Sequence, residues 1–142
     1  MKNIFLFLMI ILFASCNKSD FLNGISFEKF LLAGSGNYHN TEHTWYLDSL
    51  VINNVPLKLT QKDKMYNKVF FSNGSFTDSD GYSGKWDITN IDDLTISTKN
   101  TLTGTYTESK LKIIDINSFR FSYSLIGLNN TKYEYYFKIA YE

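Results

Sequence analysis

The sequence is short of the residues that staple small folds or carry enzyme chemistry: 142 residues include one cysteine, one proline and two histidines. A single cysteine excludes an intramolecular disulfide framework. A single proline beside 17% aromatic residues excludes a proline-rich or disordered chain. Neither sign of charge prevails, with 14 basic and 14 acidic residues. Lys58, Lys62, Lys85, Lys99, Lys112 and Lys132 are scattered singly, so no stripe is present to track a phosphate backbone, and nucleic acid is not an expected partner. No apolar run reaches the roughly 20 residues that a membrane-spanning helix requires. His39 and His43 are four apart, a spacing that aligns ligands on a helix. Here they open a strand, where Glu42 points to the face opposite His43, so a solvated loop is expected and no metal site. No serine stands in a Gly-x-Ser-x-Gly turn. Catalytic residues and cofactors are therefore not expected, and the chain reads as non-enzymatic.

What is present begins at the N-terminus. Behind Met1-Lys2-Asn3 an unbroken apolar run extends from Ile4 to Ala14, the length of a signal-peptide core, which predicts a leader over residues 1–15. Cys16 follows at once. Phe13-Ala14-Ser15-Cys16 resembles a bacterial lipobox, in which small residues before the cut fit the peptidase pocket and the cysteine thiol takes a diacylglyceryl thioether. Cleavage elsewhere, leaving a free thiol, is the alternative. The resemblance implies lipid on Cys16 and attachment to a membrane, since two or three acyl chains hold a protein there where one binds marginally. Asn17 follows where an inner-membrane retention signal would carry Asp. Lys18-Ser19-Asp20 is similar to the acidic-containing export signals of surface lipoproteins in Bacteroidota. The implied location is the cell envelope, at the outer membrane, on its periplasmic or its surface side.

Residues 16–41 are expected to form a lipidated tether. Within it, Ser26 precedes Phe27, Phe30 and Leu31 at the spacing of one helical face, and Gly34-Ser35-Gly36-Asn37 ends the pattern. This short helix either covers one end of the domain or is part of the linker.

Over residues 42–142 strands and turns alternate at short spacing. The predicted strands are Thr44 to Ile52, with Trp45, Leu47 and Val51 on one face, then Val55 to Leu59, Lys68 to Phe71, Phe76 to Asp78 and Gly84 to Thr89. Leu94 to Thr98, Tyr106 to Ile114, Phe119 to Leu125 and Thr131 to Tyr141 complete the set. Asn73-Gly74 is a hairpin signal because both residues tolerate positive φ. Asp115-Ile116-Asn117 is expected to turn the chain before Phe119. Short connections imply sequential antiparallel pairing, and about eight such strands can close on themselves and so remove their edges. The expected fold is an all-β, antiparallel up-and-down barrel of about eight short strands.

The pattern resembles a family at this point. Trp45 opening the first strand, Phe70-Phe71-Ser72-Asn73-Gly74-Ser75-Phe76, Gly84-Lys85-Trp86-Asp87-Ile88 and Asp93-Leu94-Thr95-Ile96 are similar to the lipocalin-like lipoproteins of Bacteroidota. The only Gly-x-Trp is Gly84-Lys85-Trp86, in mid chain. The resemblance implies a small barrel and a pocket.

Trp86, Phe119, Phe121, Tyr123, Tyr133, Tyr135 and Phe137 are the candidate lining of that barrel, whose interior at eight strands is either filled by side chains or holds one small ligand. Buried tyrosine hydroxyls need partners, which a wet pocket or an open mouth provides. Alternatively, Tyr136 and Tyr141 lie outside the barrel and mark a protein contact. Asp78-Ser79-Asp80-Gly81 looks like the start of a calcium loop, but Thr89 stands where the bidentate Glu belongs, so a polar loop is expected. Asp92-Asp93 reads as turn residues. The leading expectation is a membrane-anchored, lipocalin-like barrel that binds a small apolar or amphipathic ligand. The alternative is a solid-cored surface or accessory lipoprotein that contacts another protein through its loops or outer face.

Overall fold

The computed structural model describes residues 18–34 and 41–139, with side chains from Ser26 onward in the first segment. The leader, Cys16, His39 and Tyr141 lie outside the described residues.

A helix, α1 (Lys18–Ala33), precedes nine strands: β1 (Glu42–Ile52), β2 (Val55–Leu57), β3 (Asn67–Phe71), β4 (Ser75–Asp78), β5 (Ser83–Asn90), β6 (Asp93–Lys99), β7 (Tyr106–Ile116), β8 (Arg120–Ile126) and β9 (Lys132–Ile139). A five-residue helix, α2 (Gln61–Met65), lies between β2 and β3. The strands pair antiparallel in sequence order, and β1 pairs with β9, which closes an eight-stranded barrel of β1 and β3 to β9. The extra strand, β2, pairs with the last residues of β1, Leu50–Ile52, on the edge where β3 pairs with Glu42–Tyr46. The second wall of the barrel is therefore split, and the chain between its two parts leaves the sheet to form α2.

Strict up-and-down order puts alternate connections at opposite ends. One end, the base, carries the β3–β4, β5–β6 and β7–β8 turns and is closed by α1. Leu31, Leu32 and Ala33 are buried there, Gly34 caps the helix at φ +84° with its amide donating to the Phe30 carbonyl, and Trp45 Nε1 donates to the Leu32 carbonyl at 2.8 Å. The helix thus plugs the barrel, and it is longer than Phe27, Phe30 and Leu31 alone predict. Phe27 and Phe30 are exposed, because the helix meets the barrel with its last turn rather than along a stripe. His43, expected in a solvated loop, is half-buried in β1, and its Nδ1 donates to the Leu31 carbonyl at 2.8 Å.

Local chemistry explains other departures from the expected pattern. A bulge after Leu47 shifts the register, so that Leu50 faces Tyr135 and Ile52 faces Tyr133 while Val51 turns out. A second bulge, after Ile113, carries β7 on through Ile116, which faces Phe121, so the turn falls at Asn117 to Phe119 instead of Asp115 to Asn117. At the β3–β4 turn only Gly74 has positive φ. Asn73 acts through its side chain, which accepts from the Ser75 amide at 2.9 Å. Both central residues are left-handed at Asn53 and Asn54, and the Asn53 side chain also accepts from the Lys132 amide, tying that turn to β9.

The core fills the lower barrel. Trp45, Phe70, Phe76, Trp86, Ile88, Leu94, Phe121 and Phe137 pack there in one cluster with Leu32 and Ala33. Phe70 meets Trp86 and Phe121 edge-on, with ring centroids 5.8 Å apart in both pairs. Gly84 permits this packing: a Cβ there would lie 2.0 Å from the Ser97 carbonyl oxygen and 3.0 Å from the Phe76 ring.

Candidate functional site: the open end of the barrel

The inner surface changes character toward the end opposite α1. Two residues before Phe70 on the same face of β3 stands Lys68, and two residues after Phe76 on β4 stands Asp78. Both therefore point inward. Their side chains are 11% and 3% exposed, and Lys68 Nζ donates to Asp78 Oδ2 at 3.3 Å. The ammonium also lies over the Tyr66 and Phe76 rings, 5.5 and 5.4 Å from their centroids.

Asp78 organises this corner. Its Oδ2 accepts from the Tyr66 hydroxyl as well as Lys68, and its Oδ1 accepts from the amides of Asp80 and Tyr82 at 3.1 and 2.9 Å. The loop from Asp78 to Gly81 is thus a polar loop whose leading carboxylate is engaged by protein donors. Burial holds the Lys68 ammonium below the ordinary lysine range, opposed by Asp78. Burial, and then the Asp78 charge, push the Tyr66 hydroxyl well up, so it stays protonated and donates.

Tyr123 stands next to this group, stacked on Tyr135 at 5.1 Å and 4% exposed. Burial, reinforced by Tyr135 and Asp78, pushes its hydroxyl far above the usual range. That hydroxyl has no hydrogen-bond partner among the described residues. Burial likewise raises the Tyr135 hydroxyl.

Above this floor the inward positions are open to solvent. On one side Leu50 and Ile52 of β1, Leu125 of β8, and Tyr133 and Tyr135 of β9 face in by register yet are half-buried. On the other side Thr107 and Ser109 of β7 face in, opposite Thr98 and the buried Ile96, and are exposed. They are exposed because β7 pairs with β8 only from Lys112 onward, so the β6–β7 hairpin projects beyond the rim. A cleft of about 600 Å³ lies between the inner side of that hairpin and the β4–β5 loop, lined by Asp80, Tyr82, Thr98, Lys99, Leu102 and Thr107 among others. By register, the inward positions at the open end make up a cup with one apolar and aromatic wall, one hydroxyl-bearing wall and an ion pair in its floor, and the cleft adjoins the hydroxyl-bearing side.

The seven aromatic residues expected to line the barrel are divided by the structure. Trp86, Phe121 and Phe137 lie in the packed base, Tyr123 at the floor of the cup, and Tyr135 and Tyr133 on its wall. Phe119 is apart from them, 56% exposed in the turn before β8. It lines a cleft of about 590 Å³ on the outer face of β7, β8, β9 and β1, together with Ile114 and Tyr136. Lys68, Asp78 and Tyr66 were not singled out by aromatic patterning. The available signal was a charge at each of two strand positions that share a face with a core phenylalanine.

No group of three His, Cys, Asp or Glu side chains close enough to hold a metal ion occurs among the described residues. Asp92 and Asp93 sit in the β5–β6 turn region and pair with Lys112, at 3.9 and 2.9 Å. No family model matches the chain, and no curated protein matches it.

Proposed function

We propose that this protein is a non-enzymatic lipoprotein, anchored through lipid on Cys16, whose lipocalin-like barrel binds one small amphipathic ligand in its open end. The observation that supports the ligand reading most is the two-sided cup. Leu50, Ile52 and Tyr133 are apolar inward positions left half-exposed, whereas the same face nearer the base is sealed. Because the base is filled by aromatic rings, the ligand is short or planar, and a long chain does not thread the barrel. Its apolar part rests on the Leu50, Leu125 and Tyr133 wall. Its polar end takes the unpartnered Tyr123 hydroxyl and the hydroxyls of Thr107 and Ser109.

Two measurements test this function. Radiolabelled palmitate should enter the wild-type protein in its host and not Cys16→Ala; wild-type protein that takes up no label, or Cys16→Ala protein labelled as strongly, contradicts the anchor. A short-chain fluorescent fatty acid should bind saturably, and Leu50→Arg, which places a charge on the apolar wall, should abolish uptake. Unchanged uptake in that variant contradicts the cup.

A second reading, contact with another protein, is favoured by the outer cleft, where Ile114 and Phe119 expose apolar surface beside Tyr136. Binding of a partner that Ile114→Asp abolishes while fatty-acid uptake persists is the result expected on that reading.

A further inference from the structure

The connections at the open end share a pattern that the cup does not need. Each carries an exposed apolar residue: Val55 and Leu57 after the β1–β2 turn, Met65 in α2, Tyr82 in the β4–β5 loop, Leu102 at the β6–β7 tip and Leu128 in the β8–β9 turn. Leu102 and Leu128 are 95% and 90% exposed. Single exposed apolar residues are ordinary. Six on the rim of one opening are not scattered singly.

Charge gives the occupant. A lysine stands within four residues of each tip: Lys58 beside Leu57, Lys64 beside Met65, Lys85 near Tyr82, Lys99 near Leu102 and Lys132 near Leu128, of which Lys85 lies over the Tyr106 ring and Lys132 is paired with Glu134 at 2.6 Å. Toward the base, Lys29 is paired with Asp87 and Lys112 with Asp92 and Asp93, and on the outer wall Lys138 is paired with Asp48. Among the described residues no carboxylate lies within ion-pair distance of Lys58, Lys62, Lys64 or Lys99 at the open end, and Asp63 is held by Thr60 in the α2 capping box. Apolar tips that can enter the acyl boundary, with Lys58, Lys62, Lys64 and Lys99 left for phosphate among them, match the chemistry of an anionic bilayer surface. A protein interface would favour aromatic residues and arginine at its centre and few lysines, and the open-end connections hold no arginine.

We infer that the rim of the barrel docks on an anionic lipid surface, with Leu102 and Leu128 entering it. The inference deepens the ligand reading by naming a bilayer as the place where ligand enters or leaves the cup, and it does not depend on lipid at Cys16.

The test uses full-length Cys16→Ala protein carrying Leu102→Trp or Leu128→Trp, with Phe119→Trp at the base as the control. The native Trp45 and Trp86 are buried and give a constant background. Vesicles of phosphatidylcholine, with and without phosphatidylglycerol, carry brominated acyl chains. Tryptophan at 102 and 128 should shift to the blue and be quenched only when phosphatidylglycerol is present, and tryptophan at 119 should not respond. Neutralising Lys62, Lys64 and Lys99 to Gln should weaken partitioning by about fivefold for each lysine. No quenching at 102 and 128, equal quenching at 119, or indifference to phosphatidylglycerol overturns the inference; a rim that instead captures a protein gives the first of these results. Fatty-acid uptake without vesicles, measured on the same variants, reports the cup separately, so loss of either property is distinguished from loss of the other.

Discussion

At the residue scale, two positions govern the interior. Removing the Asp78 carboxylate would strand the Lys68 ammonium among the Tyr66 and Phe76 rings and leave the Tyr66 hydroxyl and two amides without their acceptor. Asp78→Ala should therefore destabilise the protein by about 3–5 kcal/mol in urea titration. Lys68→Met added to it should recover part of that loss, because no unpaired charge then stays buried. The sign of the pH dependence follows from burial. Burial holds Lys68 below its ordinary value, so the unfolded chain binds more protons over that interval and stability rises with pH toward the ordinary lysine value. The rise should be larger in Asp78→Ala, where only the weaker pull of Asp80 still opposes desolvation. Gly84 is the other position: a Cβ 2.0 Å from the Ser97 carbonyl oxygen forces the β5 and β6 backbones apart. Gly84→Ala should cost about 1–3 kcal/mol or more on thermal or urea unfolding, and a loss below a few tenths would show that the strands can give way. The glycine was legible in the sequence as part of Gly84-Lys85-Trp86, but its reason is an approach between neighbouring strands that no local pattern displays.

At the scale of elements, the helix and the bulges show where local reading ends. The spacing of Phe27, Phe30 and Leu31 predicts a buried stripe, yet the helix docks end-on, and its anchors are backbone carbonyls caught by Trp45 and His43 across a gap in sequence. Alternation in β1 breaks at its bulge, so Leu50 and Ile52, which line the cup, could not be separated from Val51 by counting in twos. Docking also leaves one strained contact. Glu28 Oε2 is buried without a hydrogen-bond partner among the described residues, and burial first, then the Asp92 charge, holds its carboxyl above the usual range. Within the interval between ordinary and raised values the folded protein binds more protons than the unfolded chain. The charged carboxylate therefore weakens docking at neutral pH, and the weakness fades as pH falls through the raised value. Glu28→Gln should increase hydrogen-exchange protection of the last turn of α1 at neutral pH and remove its dependence on mild acid. Equal protection in both proteins across that range contradicts this.

At the scale of the whole molecule, the up-and-down barrel was legible because the strands kept a period of two outside their bulges and turn residues such as Asn53-Asn54 and Gly74 marked their ends. Closure itself depends on the pairing of β1 with β9, the longest-range strand pairing among the described residues, and was inferred only from strand number and short connections. The division of the interior into a filled base and an open cup was not legible. It follows from strand lengths at the rim and from which side chains the helix covers, both consequences of the closed fold. That division carries the central claim, that the open end holds one small amphipathic molecule. The most direct measurement is native mass spectrometry of the full-length protein, extracted from its own host in mild detergent. A single retained adduct of small mass, lost in Leu50→Arg, is the predicted result. A bare protein mass, in a preparation that also fails to take up fluorescent fatty acid, would contradict it.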